Sequence, residues 1–319
     1  MATQAQRIPL NFFSMAFGLA GLAGCWVTAA NGGHVTHVVG DVLLALCAVV
    51  WLATVAFYLR YVLSKRGAFR ADLLDPVGSP FSSLAVITPM LLASQGLAPH
   101  APSAGKVLVD IFLVLTVLLG GWLTGQWIYG PLELDRLHPG YFLPTVAGGL
   151  VAAASAAEVG QQRLAEVMLG LGIVCWFILG SMIMARLFFR PTLPAPLLPT
   201  LAIEVAPPTV ASVAYFAVNG GRIDFFAAAL AGYALLMVLA QIRLLPAFLR
   251  LRFTPSMWAF TFSWAAAVTA TLHWNEAGRP AGHTVYTYLL LAAITAFIGA
   301  IAVRTALALA RRTLLPPSP

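Results

Sequence analysis

The sequence predicts an all-α integral membrane protein with ten transmembrane helices arranged as five tandem helical hairpins. Odd-numbered helices are expected to line a central pore, with the even-numbered helices outside them. The 319-residue chain is 60% hydrophobic and only 9% charged, with a mean hydropathy of +0.88, whereas soluble domains carry about 25% charged residues. Apolar stretches recur at the length of a membrane span, and prolines concentrate in alternate stretches.

Ten windows of the chain are apolar and long enough to cross a bilayer, which takes about 20 mainly apolar residues. The connections between them are short, so residues 1–319 are expected to form a single transmembrane domain. The windows are 9–30, 39–63, 80–98, 107–129, 141–157, 164–187, 200–218, 225–245, 255–272 and 286–309.

The basic residues predict the orientation, because cytoplasmic connections carry the excess of Lys and Arg. With both termini in the cytoplasm, Lys106, Arg163, Arg222 and Arg279 are the only basic residues on the far side. All the others lie on the cytoplasmic side, namely Arg7, Arg60, Lys65, Arg66, Arg70, Arg136, Arg186, Arg190, Arg243, Arg250, Arg252, Arg304, Arg311 and Arg312.

Prolines divide the windows into two kinds. Even-numbered windows have none in their interiors, because Pro131, Pro191 and Pro246 fall at or just beyond their ends. In odd-numbered windows, the preference of proline for the first helical turn accounts for Pro9, Pro80, Pro139 and Pro255. It does not account for Pro89, Pro144, Pro207 and Pro208. We interpret these prolines as causing kinks in helices that face other parts of the protein or a water-filled path.

Short repeats and small residues support the same division. The run Pro144-Thr145-Val146-Ala147 recurs as residues 208–211, about one helical hairpin later. Gly18 in the first window and Gly148 and Gly149 in the fifth suit a narrow pore, and they equally suit close helix packing.

The ninth window combines large aromatic residues with hydroxyl-bearing and small ones. Its Phe262 is our candidate for a pore gate, and Thr261 is a pore-lining candidate. The alternative is that these aromatic side chains only pack.

Glu204 precedes the Pro207-Pro208 pair and is a candidate coupling or gating acid, since carboxylates within a membrane are costly. Its alternative role is to pair with a cytoplasmic arginine. No basic residue lies in the middle of a window, so an anion path would rely on helix N-termini, hydroxyls and the overall positive field.

No residue pattern points to catalysis, a cofactor or a bound metal. Cys25, Cys47 and Cys175 show no zinc or disulfide spacing. A membrane-embedded enzyme would need clustered His, Asp, Glu or Cys side chains, and the sequence shows no such cluster.

Several motifs together resemble the tellurite-resistance/dicarboxylate transporter (TDT) family, which includes bacterial TehA-like proteins and the plant slow-type (SLAC) anion channels. The resemblance covers nearly the whole chain. It rests on residues 8–13 (IPLNFF), 138–147 (HPGYFLPTVA), 206–209 (APPT), 218–221 (VNGG), 243–246 (RLLP) and 258–262 (WAFTF).

The resemblance implies ten helices as five tandem hairpins, odd helices around a pore in each protomer, and a homotrimer. It also implies that Phe262 occludes the pore. Two positions depart from the family pattern: Ser263 stands where the plant channels have proline, and Gly180 stands where bacterial members carry an acid.

The leading hypothesis is an anion channel or channel-like transporter of the bacterial inner membrane. Its expected partners are small inorganic or organic anions, the lipid bilayer and further copies of the chain, with no nucleic acid. Tellurite resistance would be a side effect of permeability. The alternative is a proton-coupled carrier of C4-dicarboxylates such as malate, or a sulfite exporter, in which Glu204 would matter.

Overall fold

A computed structural model describes residues 7–311 and 313–314 of the chain, so Arg312 lies outside the described residues. These residues form helices and connections without a strand, which confirms the predicted all-α class. The α-helices are α1 (Phe13–Asn31), α2 (Val38–Ser64), α3 (Ala68–Leu74), α4 (Leu84–Leu91), α5 (Pro102–Tyr129), α6 (Gly148–Glu158), α7 (Gln162–Phe189), α8 (Ala206–Asn219), α9 (Phe225–Phe248), α10 (Ala259–Gly278) and α11 (His283–Ala310).

Within the described part of the chain, nine helical segments are long and apolar enough to cross a membrane. The segment Pro255–Gly278, which contains α10, is not among these nine. It is as long as the others, but it carries threonine, serine, histidine and asparagine side chains that lower its hydropathy. Ten spans in five hairpins therefore remains a prediction.

Burial separates the helices into two sets that alternate along the chain. We call α1, α4, α6, α8 and α10 the inner helices, and α2, α5, α7, α9 and α11 the outer helices. Between 67% and 89% of residues are buried in the spans that contain the first four inner helices, against 22–28% in the outer ones. The outer helices instead expose large apolar side chains on the surface that lipid would cover.

The inner helices form a closed ring, because each one packs against the next and α10 packs back against α1. Each inner segment starts with a short 3-10 turn that contains or directly follows a proline, and these turns also contact one another in a closed ring. The inner helices consequently run parallel, with their N-termini at one end. The turns are Leu10–Phe12, Ser79–Ser83, Pro139–Tyr141, Leu198–Val205 and Pro255–Trp258.

An outer helix compensates for the proline inside α4. Pro89 has no N–H group, so the carbonyl of Ala85 loses its helical partner. The indole Nε1 of Trp51 in α2 donates a hydrogen bond to that carbonyl at 3.0 Å. A π-helical turn, Leu92–Leu97, follows this region, and another, Leu143–Ala147, contains Pro144. The break in α4 is thus supported by a side chain of the outer layer.

One outer helix ends later than its predicted window. The eighth window ends at residue 245, whereas α9 continues to Phe248, so Pro246 lies in the last turn of the helix. A proline in the last turn removes only one hydrogen bond near the frayed end of a helix, and Pro246 is exposed, so the helix tolerates it.

The short helix α3 was absent from the sequence prediction. It packs between the end of α2 and the Ser79–Ser83 turn. Its buried Asp72 accepts hydrogen bonds from Nη2 of Arg7 at 3.0 Å and from the Tyr58 hydroxyl at 3.2 Å. These bonds fix which face of α3 points inward.

Candidate functional site

The ring of inner helices encloses a cavity of about 30 Å³. All five inner segments contribute to its wall, and no outer helix does. The lining residues are Ser14 and Phe17; Phe81 and Leu84; Phe142, Leu143, Val146, Ala147 and Leu150; Ile203, Ala206, Pro207 and Val210; and Trp258, Ala259, Phe262 and Ser263.

This cavity is small and almost entirely apolar. A cavity needs roughly 10–15 Å³ to hold one water, so it has room for about two. Among the described residues, its lining includes no charged side chain. The hydroxyl of Ser14 donates to the carbonyl of Asn11, and that of Ser263 donates to the carbonyl of Ala259. An apolar cavity of this kind offers water few hydrogen-bond partners.

Two stacked phenylalanines close one side of the cavity. Phe262 of α10 lies on Phe17 of α1 with 3.6 Å between ring centroids and 17° between ring planes. Gly21 of α1 makes room for this ring, since a Cβ there would lie 3.0 Å from Cδ2 of Phe262. The candidate gate therefore faces the cavity and rests on a partner ring that the sequence analysis did not identify.

Gly18 and Thr261 lie between α1 and α10 rather than on the cavity wall. A Cβ at Gly18 would lie 2.9 Å from the ring of Trp258 and closer still to the Thr261 hydroxyl. That hydroxyl donates to the carbonyl of Trp258 at 2.7 Å. These two residues bring the helices that carry Phe17 and Phe262 into close contact.

The small residues of the third inner segment, which corresponds to the fifth predicted window, face the outer helices. A Cβ at Gly148 would lie 2.8 Å from the Thr116 methyl of α5, and one at Gly149 would lie 2.8 Å from the backbone of Gly172 in α7. The Pro144 carbonyl and the Thr145 methyl both lie against Gly120 of α5. All four predicted pore residues of this segment thus lie outside the cavity wall.

Of the remaining proline candidates, Pro207 lines the cavity, whereas Pro89 and Pro208 are buried but do not line it. Pro207 and Pro208 lie in the first turn of α8, where the preceding 3-10 turn changes into α-helix.

Glu204 is buried and does not line the cavity. Its side chain is 8% exposed, and Oε1 has no hydrogen-bond partner within the described part of the chain. The ion pairs found among residues 7–311 and 313–314 do not include Glu204, so the structure shows no arginine partner for it. A carboxyl group buried in a membrane span without a counter-charge is energetically costly, which makes it a candidate for a functional role.

A neutral histidine lies at the end of the molecule where the N-terminal turns of the inner segments meet. His138 is fully buried, its Nδ1 accepts from the backbone N–H of Gly140, and its Nε2 lies 3.2 Å from the carbonyl of Val77. Burial lowers the pKa of His138 to about 4. His138 therefore adds no charge at neutral pH and holds the start of the third inner segment, which contains α6, in place.

Sequence reasoning missed most of the cavity wall, including Phe17, Phe81 and Phe142. A usable signal did exist for two positions. Val146 and Val210 occupy the same place in the repeated Pro-Thr-Val-Ala run, and both line the cavity. The described residues contain no group of three or more His, Cys, Asp or Glu side chains placed to hold a metal ion.

Comparison with known proteins gives a consistent result. The family model described as voltage-dependent anion channel (SLAC1) matches residues 7–306. A tellurite resistance protein TehA homolog of Haemophilus influenzae is 30% identical over 86% of this chain and 84% of its own length.

Two plant proteins of Arabidopsis thaliana, the S-type anion channel SLAH2 and the guard cell S-type anion channel SLAC1, are each 25% identical over 85% of the chain. The chain spans about half the length of these plant relatives, 53% and 50% respectively. The family match extends over nearly all of the described helices, including all five inner ones. The chain belongs to the voltage-dependent anion channel (SLAC1) family and is a multi-pass membrane protein of an anion channel or transporter type.

Proposed function

We propose that this chain is an anion channel of the bacterial inner membrane, with both termini in the cytoplasm and a path along the axis of the inner ring. The observation that carries this proposal is the cavity, because its wall is built from all five inner segments and from none of the outer helices. Small inorganic or organic anions are the proposed substrates. As in the family resemblance, ten spans in five hairpins and a homotrimer are part of the proposal.

Anions would be favoured by the backbone rather than by fixed cations. The five inner segments start at the same mouth, and each helix N-terminus carries a partial positive charge of about half a unit. Unpaired backbone N–H groups at such ends bind anions. Because the described cavity wall carries no lysine or arginine, an anion would be attracted without being held tightly, as conduction requires.

Phe262 is the proposed gate. Its ring, stacked on Phe17, narrows a path that is already apolar, so the closed state excludes water as well as ions. Rotation of the Phe262 side chain away from Phe17 would widen the cavity at that point. The prolines at 89, 144, 207 and 208 are proposed to bend the inner helices around the path.

Replacing Phe262 tests the gate directly. We expect Phe262→Ala to raise anion conductance strongly in planar bilayers, since each 1.4 kcal/mol removed from the barrier gives about a tenfold faster rate. Phe260→Ala is the matched control, because Phe260 lies on the same helix but packs against Phe248 of outer helix α9, with ring centroids 4.9 Å apart. It should leave conductance unchanged.

An unchanged conductance in Phe262→Ala, with normal expression and assembly, would contradict the gate. An equal increase in Phe260→Ala would show that loosening of α10, rather than removal of a plug, opens the path.

A second candidate function rests on Glu204. Its buried, unpartnered carboxyl oxygen is the kind of group that binds and releases a proton during transport. A proton-coupled carrier of C4-dicarboxylates such as malate, or a sulfite exporter, would use it in this way. We expect Glu204→Gln to abolish the pH dependence of malate or sulfite uptake if this candidate is right. Uptake with an unchanged pH dependence would exclude the coupling role.

A further inference from the structure

Beyond the inner ring, one surface combines strong positive charge with exposed apolar side chains. It lies where α2 ends and α3 begins, at the end of the molecule that contains the N-terminal turns of the inner segments. We call it the α3 patch and define it by Leu63, Lys65, Arg66, Phe69, Arg70 and Leu74, all of which are exposed.

The chain path places these side chains on one outward surface. Gly67, with φ +79°, reverses the backbone between α2 and α3, a conformation that favours glycine. The inward face of α3 is occupied by Ala68 and Asp72, which are only 3% and 4% exposed. The other face must therefore point away from the protein, and it includes Phe69 and Arg70.

The apolar members of the patch extend the lipid-facing surface of α2. Phe57 and Leu59 are 59% and 50% exposed on the last turns of that helix, and Leu63 is 84% exposed at its end. Phe69 follows at 53%. The basic side chains thus lie where an apolar surface ends, which is the level of lipid headgroups.

The six residues of the patch include three basic side chains and no acidic one. Lys65, Arg66 and Arg70 are exposed, and none of the ion pairs found in the described part of the chain involves them. The nearby Asp72 is buried and already binds Arg7 and Tyr58. Anionic lipid headgroups attract such basic segments by about 1 kcal/mol for each Lys or Arg near the surface.

We infer that the α3 patch binds anionic phospholipid, with Lys65, Arg66 and Arg70 on the headgroup phosphate and Phe69 among the acyl chains. The exposed phenylalanine beside the cations favours a lipid over a soluble anion, because a soluble anion would leave that ring in water. The patch is joined to the anion path, because α3 packs against the turn Ser79–Ser83, whose Phe81 lines the cavity.

Native mass spectrometry of the full chain in detergent, with phosphatidylglycerol or phosphatidylcholine of the same acyl chains, tests this inference. We expect a preference for phosphatidylglycerol that Lys65→Gln/Arg66→Gln/Arg70→Gln weakens by roughly fivefold for each charge removed. The matched control, Lys106→Gln/Arg163→Gln/Arg222→Gln, removes three exposed basic residues at the opposite end of the molecule and should keep the preference.

Two further arms separate lipid from other anions. Phe69→Ser should weaken binding of both lipids, since it removes the apolar contact. Excess glycerol 1-phosphate should not displace phosphatidylglycerol. The inference is overturned if the control variant loses as much binding as the α3 variant, if the wild-type chain shows no preference, or if the soluble phosphate displaces the lipid.

Discussion

The inner ring and the outer layer differ in what their helices contact, and this difference explains their sequences. Outer helices are continuous, expose large apolar side chains and have buried residues on a narrow face. Inner helices are buried nearly all round, start in 3-10 turns and contain prolines and π-helical turns. A broken helix is tolerated in a membrane only where protein or a wet cavity satisfies its backbone. The outer layer supplies that protection here.

The contact between the two layers should therefore be the most sensitive part of the molecule. Gly149 and Gly172 let α6 and α7 approach so closely that a Cβ on either would meet the other helix. We expect Gly149→Val to prevent the layers from packing, which lowers the free energy of unfolding by about 3 kcal/mol. Size-exclusion chromatography should show less folded protein, and thermal unfolding should occur at a lower temperature.

Gly170→Val is the matched control, because a Cβ at Gly170 meets no atom within 4 Å. It should fold like the wild type. Equal behaviour of the two variants would show that the close approach of the layers contributes little to stability.

A smaller effect is expected where the outer layer compensates for a proline. Trp51→Phe keeps most of the ring packing but leaves the Ala85 carbonyl without its donor, at a cost of about 1–3 kcal/mol in the free energy of unfolding. Pro89→Ala restores an N–H group to α4. In that background the same tryptophan substitution should cost less, because the carbonyl then has a helical partner.

Thermal or denaturant unfolding of the four proteins in this double-mutant cycle measures the coupling. If Trp51→Phe lowers the free energy of unfolding by the same amount with proline and with alanine at position 89, the indole does not compensate for the missing N–H group.

Much of the fold was predictable from composition and periodicity, because hydropathy over about 20 residues reports a membrane span directly. The all-helical membrane class and the family are both confirmed. The helix α3 could not be predicted in this way, since seven residues are too few for a window of that length. The π-helical turns also escaped prediction, because they depend on how the chain around Pro89 and Pro144 packs.

The site was less predictable than the fold. Phe262 was identified from its motif, but its partner Phe17 depends on the rotation of α1 about its axis, which the glycine-rich sequence does not reveal. The same ambiguity affected Gly148 and Gly149, which the structure places against the outer helices. Small residues suit a pore and a tight helix contact equally well, and only the neighbouring atoms decide between the two.

The central claim is that anions pass along the axis of the inner ring, and thiol modification of an open channel tests it most directly. In a Phe262→Ala/Cys175→Ala background, the remaining native cysteines, Cys25 and Cys47, are buried. Val210 lines the cavity, whereas Val174 faces outward from α7 and is 56% exposed. We predict that a charged methanethiosulfonate reagent blocks the anion current of Val210→Cys and leaves that of Val174→Cys intact. A current that persists in modified Val210→Cys, or is blocked in Val174→Cys, would contradict a path through the inner ring.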